Sequence, residues 1–257
     1  MSAPDPKQTF WVVIPAYNEA RGIEPTLAAL RRQDDRDFAV VVVDNASTDG
    51  TRDAVVDFAK RHPSMRIECI DEPEKGTGCA ADTGFRHAIA SGAEFVARTD
   101  ADCVPRRDWV TRIKEAFADG TDFIAGYIGH RRDDLPVGVL EHAGMVLVTE
   151  IMEAVTPRLA HHKGPEFLAP AVLAGGGNLA TRASIYLASG GFPRISIEHE
   201  NDDRVLLGRI RKLTPRIVKD RRVVVLQSTR RVKSFGFRNT VLWYWNRKYK
   251  PEIVDIR

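Results

Sequence analysis

Three apolar runs in the first hundred residues each end abruptly in polar side chains. Trp11-Val12-Val13-Ile14 leads into Pro15-Ala16-Tyr17-Asn18-Glu19. Val40-Val41-Val42-Val43 leads into Asp44 and an Asn/Ser/Thr/Asp-rich turn, and Phe95-Val96-Ala97 leads towards Asp100-Ala101-Asp102. Short runs without polar alternation read as strands buried on both faces. Between and after them the period changes to that of helices. One is expected over 22–32, with Ile23, Leu27 and Leu30 on one side and Pro25 near its start, where proline is tolerated. Others are expected over 51–61 and 79–90, with further strands at 38–43 and 65–70. Such alternation implies right-handed crossovers and a mostly parallel central sheet flanked by helices. Past Pro105 the pattern loosens into a helix at 108–118, a strand at 123–128, a helix at 183–189 and a long amphipathic helix at 137–155. The last is marked by Val137, Leu140, Gly144, Leu147, Val148, Ile151 and Val155. No linker or repeat divides the chain, so a single α/β domain over 1–257 is expected, with halves at about 8–104 and 105–257.

In open parallel α/β sheets ligands bind beyond the carboxyl ends of the strands, where all three polar clusters fall. Residues two apart on an extended segment point the same way, so Asp100 and Asp102 can face one cation. A hard ion such as Mg²⁺ or Mn²⁺ takes oxygen ligands and shares them with substrate phosphates. Tyr17 offers an aromatic face to a nucleobase, and Asp44 can accept from a base N–H. On the residues alone, Tyr17 reads equally as a rim aromatic, and Asp44 as an acid favoured by a helix N-terminus. Asp49 reads as a capping residue.

Composition narrows the class without choosing the chemistry. A 257-residue chain with 43% hydrophobic residues and a net charge of +3 is that of an ordinary globular protein. Three cysteines, Cys69, Cys79 and Cys103, form no C-x-x-C pair, which favours a reducing compartment. Cys103 reads as a small buried neighbour of the acids. Residues 1–8 lack the plan of a signal peptide, and no stretch reaches the ~20 apolar residues of a membrane span. A soluble, cytoplasmic protein is the expectation.

Four motifs in order, Ile-Pro-Ala-Tyr-Asn-Glu (14–19), Val-Val-Asp-Asn-Ala-Ser-Thr-Asp-Gly-Thr (42–51), Thr-Asp-Ala-Asp (99–102) and Gly-Gly-Gly-Asn (175–178), resemble glycosyltransferase family 2. The resemblance is dense over 10–110 and patchy to about 231. It implies the GT-A fold, a Rossmann-like nucleotide-binding half with an acceptor lobe, and a UDP-, GDP- or dTDP-sugar donor. By the same resemblance Pro15 and Ala16 shape the donor loop, and Tyr17, Glu19 and Asp44 hold the nucleoside. Lys75, Gly76, Asp100 and Ala101 border the donor, and Asp102, with Asp100, holds Mg²⁺ or Mn²⁺ on its diphosphate. Gly176, Gly177 and Asn178 border the acceptor. The acid pair opening the helix after 201 falls at Asp202-Asp203. That carry-over makes Asp203 the general base of an inverting transfer, with Asp202 and Glu200 as reserves of register. The chain departs from the family at Ala81-Asp82, where Arg-Asn is usual. A basic donor contact is lost there unless Lys75 or Arg86 substitutes.

Gly76-Thr77-Gly78-Cys79-Ala80-Ala81 also matches the dinucleotide fingerprint G-x-G-x-x-A. It follows the third strand and is separated from it by 71–75, so the tight strand-glycine-helix turn of a Rossmann site is missing. Residues 216–250 hold eleven Lys/Arg against one acid, interleaved with Phe235, Phe237, Trp243, Tyr244, Trp245 and Tyr249. That composition raises nucleic-acid binding, contact with an anionic membrane surface or lipid phosphate, and a packed C-terminal helix with Arg230-Arg231 over the donor diphosphate. The last is preferred and no nucleic-acid partner is expected, because consecutive aromatics at 243–245 cannot all face one partner. A sugar nucleotidyltransferase is the alternative enzyme, disfavoured because no glycine-rich triphosphate loop follows the first strand. The acceptor is not legible, and a homodimer through the 137–155 stripe stays open.

Overall fold

The computed structural model describes residues 9–134, 138–158, 164–194, 202–236 and 239. The nucleotide half alternates as read: β1 (Phe10–Ala16), α1 (Ile23–Arg31), β2 (Ala39–Asp44), α2 (Thr51–Arg61), β3 (Arg66–Asp71), α3 (Thr77–Ala90) and β4 (Phe95–Thr99). A three-residue strand, β5 (Cys103–Pro105), leads to α4 (Trp109–Ala118), β6 (Phe123–His130) and α5 (Val139–Val155). The chain continues through β7 (Asn178–Arg182), α6 (Ala183–Ala188), α7 (Asp202–Ile210), β8 (Ile217–Gln227) and α8 (Arg230–Phe235).

One eight-stranded sheet runs in the order β3-β2-β1-β4-β7-β6-β8-β5. Pairings β3-β2, β2-β1, β1-β4 and β6-β8 are parallel, and β7 is antiparallel to both neighbours. The carboxyl ends of β1, β2, β3, β4, β6 and β8 therefore lie at one end of the sheet. Asn178, the first residue of β7, pairs with Thr99 at that same end. Antiparallel β7 was not legible in the apolar pattern, because Asn178-Leu179-Ala180-Thr181-Arg182 is mixed in polarity.

All seven residues of β1 are buried, as expected for a strand covered on both faces. Phe10, Val12 and Ile14 pack with Ile23, Leu27 and Leu30 of α1, Val55 and Phe58 of α2 and Trp109 and Ile113 of α4. Trp11 and Val13 pack with Ala81 and Phe85 of α3, Tyr186 of α6, and Leu206 and Ile210 of α7. Helix α5 differs, since only Met145 is buried, while Val139, Leu140, Leu147 and Ile151 are exposed on its far side. No helix among the described residues is long and apolar enough to cross a membrane.

Helix α3 lies unusually close to the sheet. A Cβ on Gly84 would collide with Val13 and come within 2.8 Å of Val43 Cγ2. Gly84→Ala should therefore destabilise the fold by about 1–3 kcal/mol despite the better helix propensity of alanine. Chemical denaturation would register this as a lower midpoint with an unchanged slope.

Candidate functional site

The polar clusters meet at the carboxyl end of the sheet, and hydrogen bonds between loops hold them there. Pro15 and Ala16 are the buried last residues of β1 and act through backbone, the Ala16 carbonyl accepting from Asn45 N–H at 2.8 Å. Asn18, at φ 52°, turns the chain. Its Oδ1 accepts from Thr48 N–H at 2.8 Å, and its own N–H donates to Ser47 Oγ at 3.0 Å. Asp44 accepts from Ser47 N–H at 3.1 Å. Asp49 stands one residue before Gly50, the N-cap of α2, and takes the Thr51 N–H at 2.9 Å and also the Ala20 N–H at 3.1 Å. Asn45 bonds the carbonyls of Glu72 and Glu74 and receives the Gly76 N–H, tying the 72–76 loop to β2. Lys75 thereby comes to lie 5.0 Å from the Tyr17 ring centroid. Tyr17 and Asp44, expected at the nucleoside, and Lys75 and Gly76, expected beside the donor, thus share one corner, while Glu19, also expected at the nucleoside, pairs with Arg230.

The acids form a second cluster. Arg98, only 2% exposed, places its guanidinium between Asp100 at 3.2 Å and Asp202 at 2.8 Å. Burial raises the Asp100 pKa against the pull of Arg98, with Asp102 and Asp202 adding repulsion. A divalent ion would relieve that repulsion, so the pair fits a hard-cation site in which phosphate oxygens complete the shell. No cluster of three or more His, Cys, Asp or Glu side chains suited to a metal exists among the described residues. Ala101 is buried and its carbonyl accepts from Thr26 Oγ1 at 2.8 Å, fixing the turn between the two acids. Asp102 also faces Arg230, 3.2 Å away, which forms a two-pronged ion pair with buried Glu19. Cys103 is buried, and its thiol is pushed well up by burial and the two neighbouring acids, so it stays protonated beside Asp102.

Gly176 and Gly177 lie between the acids that follow β4 and those that open α7. A Cβ at 176 would meet Arg98 Nη2 at 2.7 Å, and one at 177 would meet Asp100 Oδ2 at 3.1 Å. The Gly176 N–H donates to Asp203 Oδ2 at 2.8 Å, and the Arg204 N–H to Asp203 Oδ1 at 2.7 Å. Burial and the neighbouring Asp202 push the Asp203 pKa up to about 6, against Arg98.

Two expectations need adjustment. Asn178 does not present its side chain to an acceptor. It is fully buried, receives Trp109 Nε1–H at 2.9 Å and donates to the carbonyls of Tyr127 and Val223, so it braces β7 beneath the loop. Arg86 is tied to Asp82 at 2.8 Å and does not replace the missing basic contact, whereas Lys75 stands at the cleft. The basic run at 216–250 is largely compensated where it is described. Arg216 pairs with Asp122, Lys219 with Glu153, Arg221 with Glu150, and Arg222 with Asp220. Glu200, Phe237 and the aromatics of 243–249 lie outside the described residues, as does the side chain of Arg231. Arg98 was missed by sequence reasoning, although a lone arginine between an apolar run and two acids was the signal.

This sheet, with its acidic carboxyl end, is that of the GT-A glycosyltransferases. The family model described as glycosyl transferase family 2 matches residues 11–163, more than half of the 257-residue chain. The chain belongs to that family. It is 27% identical to a mannosyltransferase of Pyrobaculum calidifontis solved with GDP-Man and Mn²⁺, with a TM-score of 0.65 over 96% of this chain and 67% of that one. Among curated relatives, it is 33% identical over 120 residues to the glycosyltransferase AglE of Haloferax volcanii, covering 46% of this chain and 38% of the relative. It is 34% identical over 104 residues to an undecaprenyl-phosphate mannosyltransferase of Micrococcus luteus, 40% of this chain and 42% of the relative. The matched stretches thus span well under half of these relatives' own length.

Because Asp203 carries a raised pKa, its charge costs the fold stability at neutral pH. The sign follows from linkage: stability is greatest below the unfolded carboxylate pKa and is lost as pH rises through about 6. Asp203→Asn should thus stabilise the protein by about 1–2 kcal/mol at pH 7.5 and by nearly nothing at pH 4. Thermal unfolding at both pH values measures the difference.

Proposed function

We propose that the chain moves a sugar from a nucleoside-diphosphate donor to an acceptor hydroxyl, with inversion and with Mg²⁺ or Mn²⁺ assistance. The observation that carries this reading is the two-glycine loop. Its Gly177 lies against Asp100 on the donor side, and its Gly176 N–H holds Asp203 on the other. A family relative crystallised with GDP-Man and Mn²⁺ supports the donor class and the ion.

In this reading Tyr17 and Asp44 receive the nucleoside, with Lys75 beside them. Asp102 and Asp100 would hold the ion, which when bound would supply charge neutralisation at the nucleoside diphosphate. Asp203 takes the acceptor O–H proton while the acceptor oxygen attacks the anomeric carbon, and the bond to the diphosphate breaks on the opposite face. Asp202 is spent on Arg98, which leaves Asp203 as the carboxylate for the proton. Its raised pKa makes it a stronger acceptor of that proton than an exposed carboxylate, while keeping it ionised above pH 6. Glu19 and Arg230 close the cleft from the other wall.

Incubation with UDP-, GDP- and dTDP-sugars tests the class: a transferase releases nucleoside diphosphate, whereas pyrophosphate exchange would mean a nucleotidyltransferase. Asp102→Asn should abolish the Mn²⁺-dependent part of donor binding, read by calorimetry with and without chelator. Asp203→Asn should keep donor affinity and lower kcat by ~10²–10⁴; turnover at the parental rate would reject Asp203 as base. In the parent, kcat/KM should climb with pH and level off above about 6, as the base loses its proton.

A further inference from the structure

A hollow of about 480 Å³ opens between the end of β6, the first turns of α5 and the end of β8. It is lined by Tyr127, His130, Arg132 and His142, over an apolar floor of Val146 and Leu226. The two imidazoles meet edge to face, with centroids 6.2 Å apart. His142 Nδ1 is buried and has no hydrogen-bond partner among the described residues.

The charges around the hollow lean one way. From the turn after β6, Arg132 lines it with no ion-pair partner among the described residues, while Asp133 is already neutralised by both prongs of Arg131, at 3.1 Å each. From β6, Tyr127 brings a hydroxyl, and its ring carries the Arg221 guanidinium of β8 at 5.1 Å. From α5, His142 is the titratable group facing inward; Glu150 and Glu153, farther along, are engaged by Arg221 and Lys219. Burial and the facing His142 hold the His130 pKa below the usual histidine range, and a nearby anion would raise it.

The strand register sets where this hollow sits. His130 pairs with Gln227 of β8, and Gln227 pairs with Cys103 of β5. His130 is therefore two strand spacings, ~10 Å, from the residue that follows Asp102.

We propose that this hollow is an anion subsite for the acceptor, in which His130, His142 and Arg132 hold a phosphate-monoester group. It rests on the glycosyltransferase reading above for the word acceptor, and on the hollow alone for the anion. Imidazolium and guanidinium donors supply charge-assisted hydrogen bonds to phosphate oxygens, and Leu226 and Val146 take the carbon skeleton that bears them. Protonation of the pair accompanies binding, so affinity falls as pH rises from 6 to 8.

The test uses the full chain with labelled histidine, titrated with inorganic phosphate and with glycerol 3-phosphate while imidazole NMR signals are followed. Saturable shifts of the two rings, with their pKa values rising on binding, are expected. His142→Gln and, separately, His130→Gln and Arg132→Gln should each weaken binding about tenfold or more, leaving Mn²⁺-dependent GDP or UDP binding within about twofold. Glycerol 3-phosphate binding assigns a soluble acceptor. Binding to phosphatidic acid vesicles but not to phosphatidylcholine vesicles, lost in His142→Gln, assigns a lipid-borne one. Imidazole signals that ignore all these probes, or vesicle binding that survives His142→Gln, overturn the subsite. Nucleotide binding that persists in that event leaves the transferase reading intact. Phosphate binding without any nucleotide binding would instead overturn that reading and keep the subsite.

Discussion

The buried guanidinium of Arg98 is the interaction on which the acidic end of the sheet depends. Four carboxylates, those of Asp100, Asp102, Asp202 and Asp203, crowd one end of the sheet, and unpaired charges there would be strongly disfavoured. Arg98 reaches this cluster from the end of β4 and bonds one acid of the donor side and one of α7. It lowers the cost of having both acids ionised and fixes their separation. It also restrains the Asp203 pKa, which burial and Asp202 would otherwise drive higher. Glu19 and Arg230 extend the same logic, a second guanidinium meeting Glu19 and Asp102.

What could be read in the sequence followed from local physics. Buried parallel strands are apolar throughout, so β1, β2 and β4 announced themselves, and the helix over 51–61 emerged with the observed bounds. Motif residues at the strand ends were legible because a parallel sheet sends all its carboxyl ends to one place. Antiparallel β7 was not, since its polar residues are satisfied by distant partners: Asn178 by Trp109 and Tyr127, Thr181 by the Asp122 carbonyl. No count of neighbours along the chain can reveal such partners.

The basic segment illustrates the same limit in charge. Eleven cations against one acid raised a polyanion partner as an alternative to a packed segment, because the count ran along the sequence. In three dimensions β8 lies beside α5, whose Glu150 and Glu153, with Asp122 and Asp220, answer much of the described part of that charge. Arg98 shows the converse: a single unexpected arginine in an apolar setting mattered more than a run of eleven.

The loop of Gly176 and Gly177 touches Arg98 and Asp100 on one side and Asp203 on the other. Any side chain added there would press on Arg98, Asp100 and the Asp203 contact in one stroke. Both positions are thus closed to side chains by packing alone, whereas the outer face of α5, with Leu140 and Leu147 exposed, carries no such constraint.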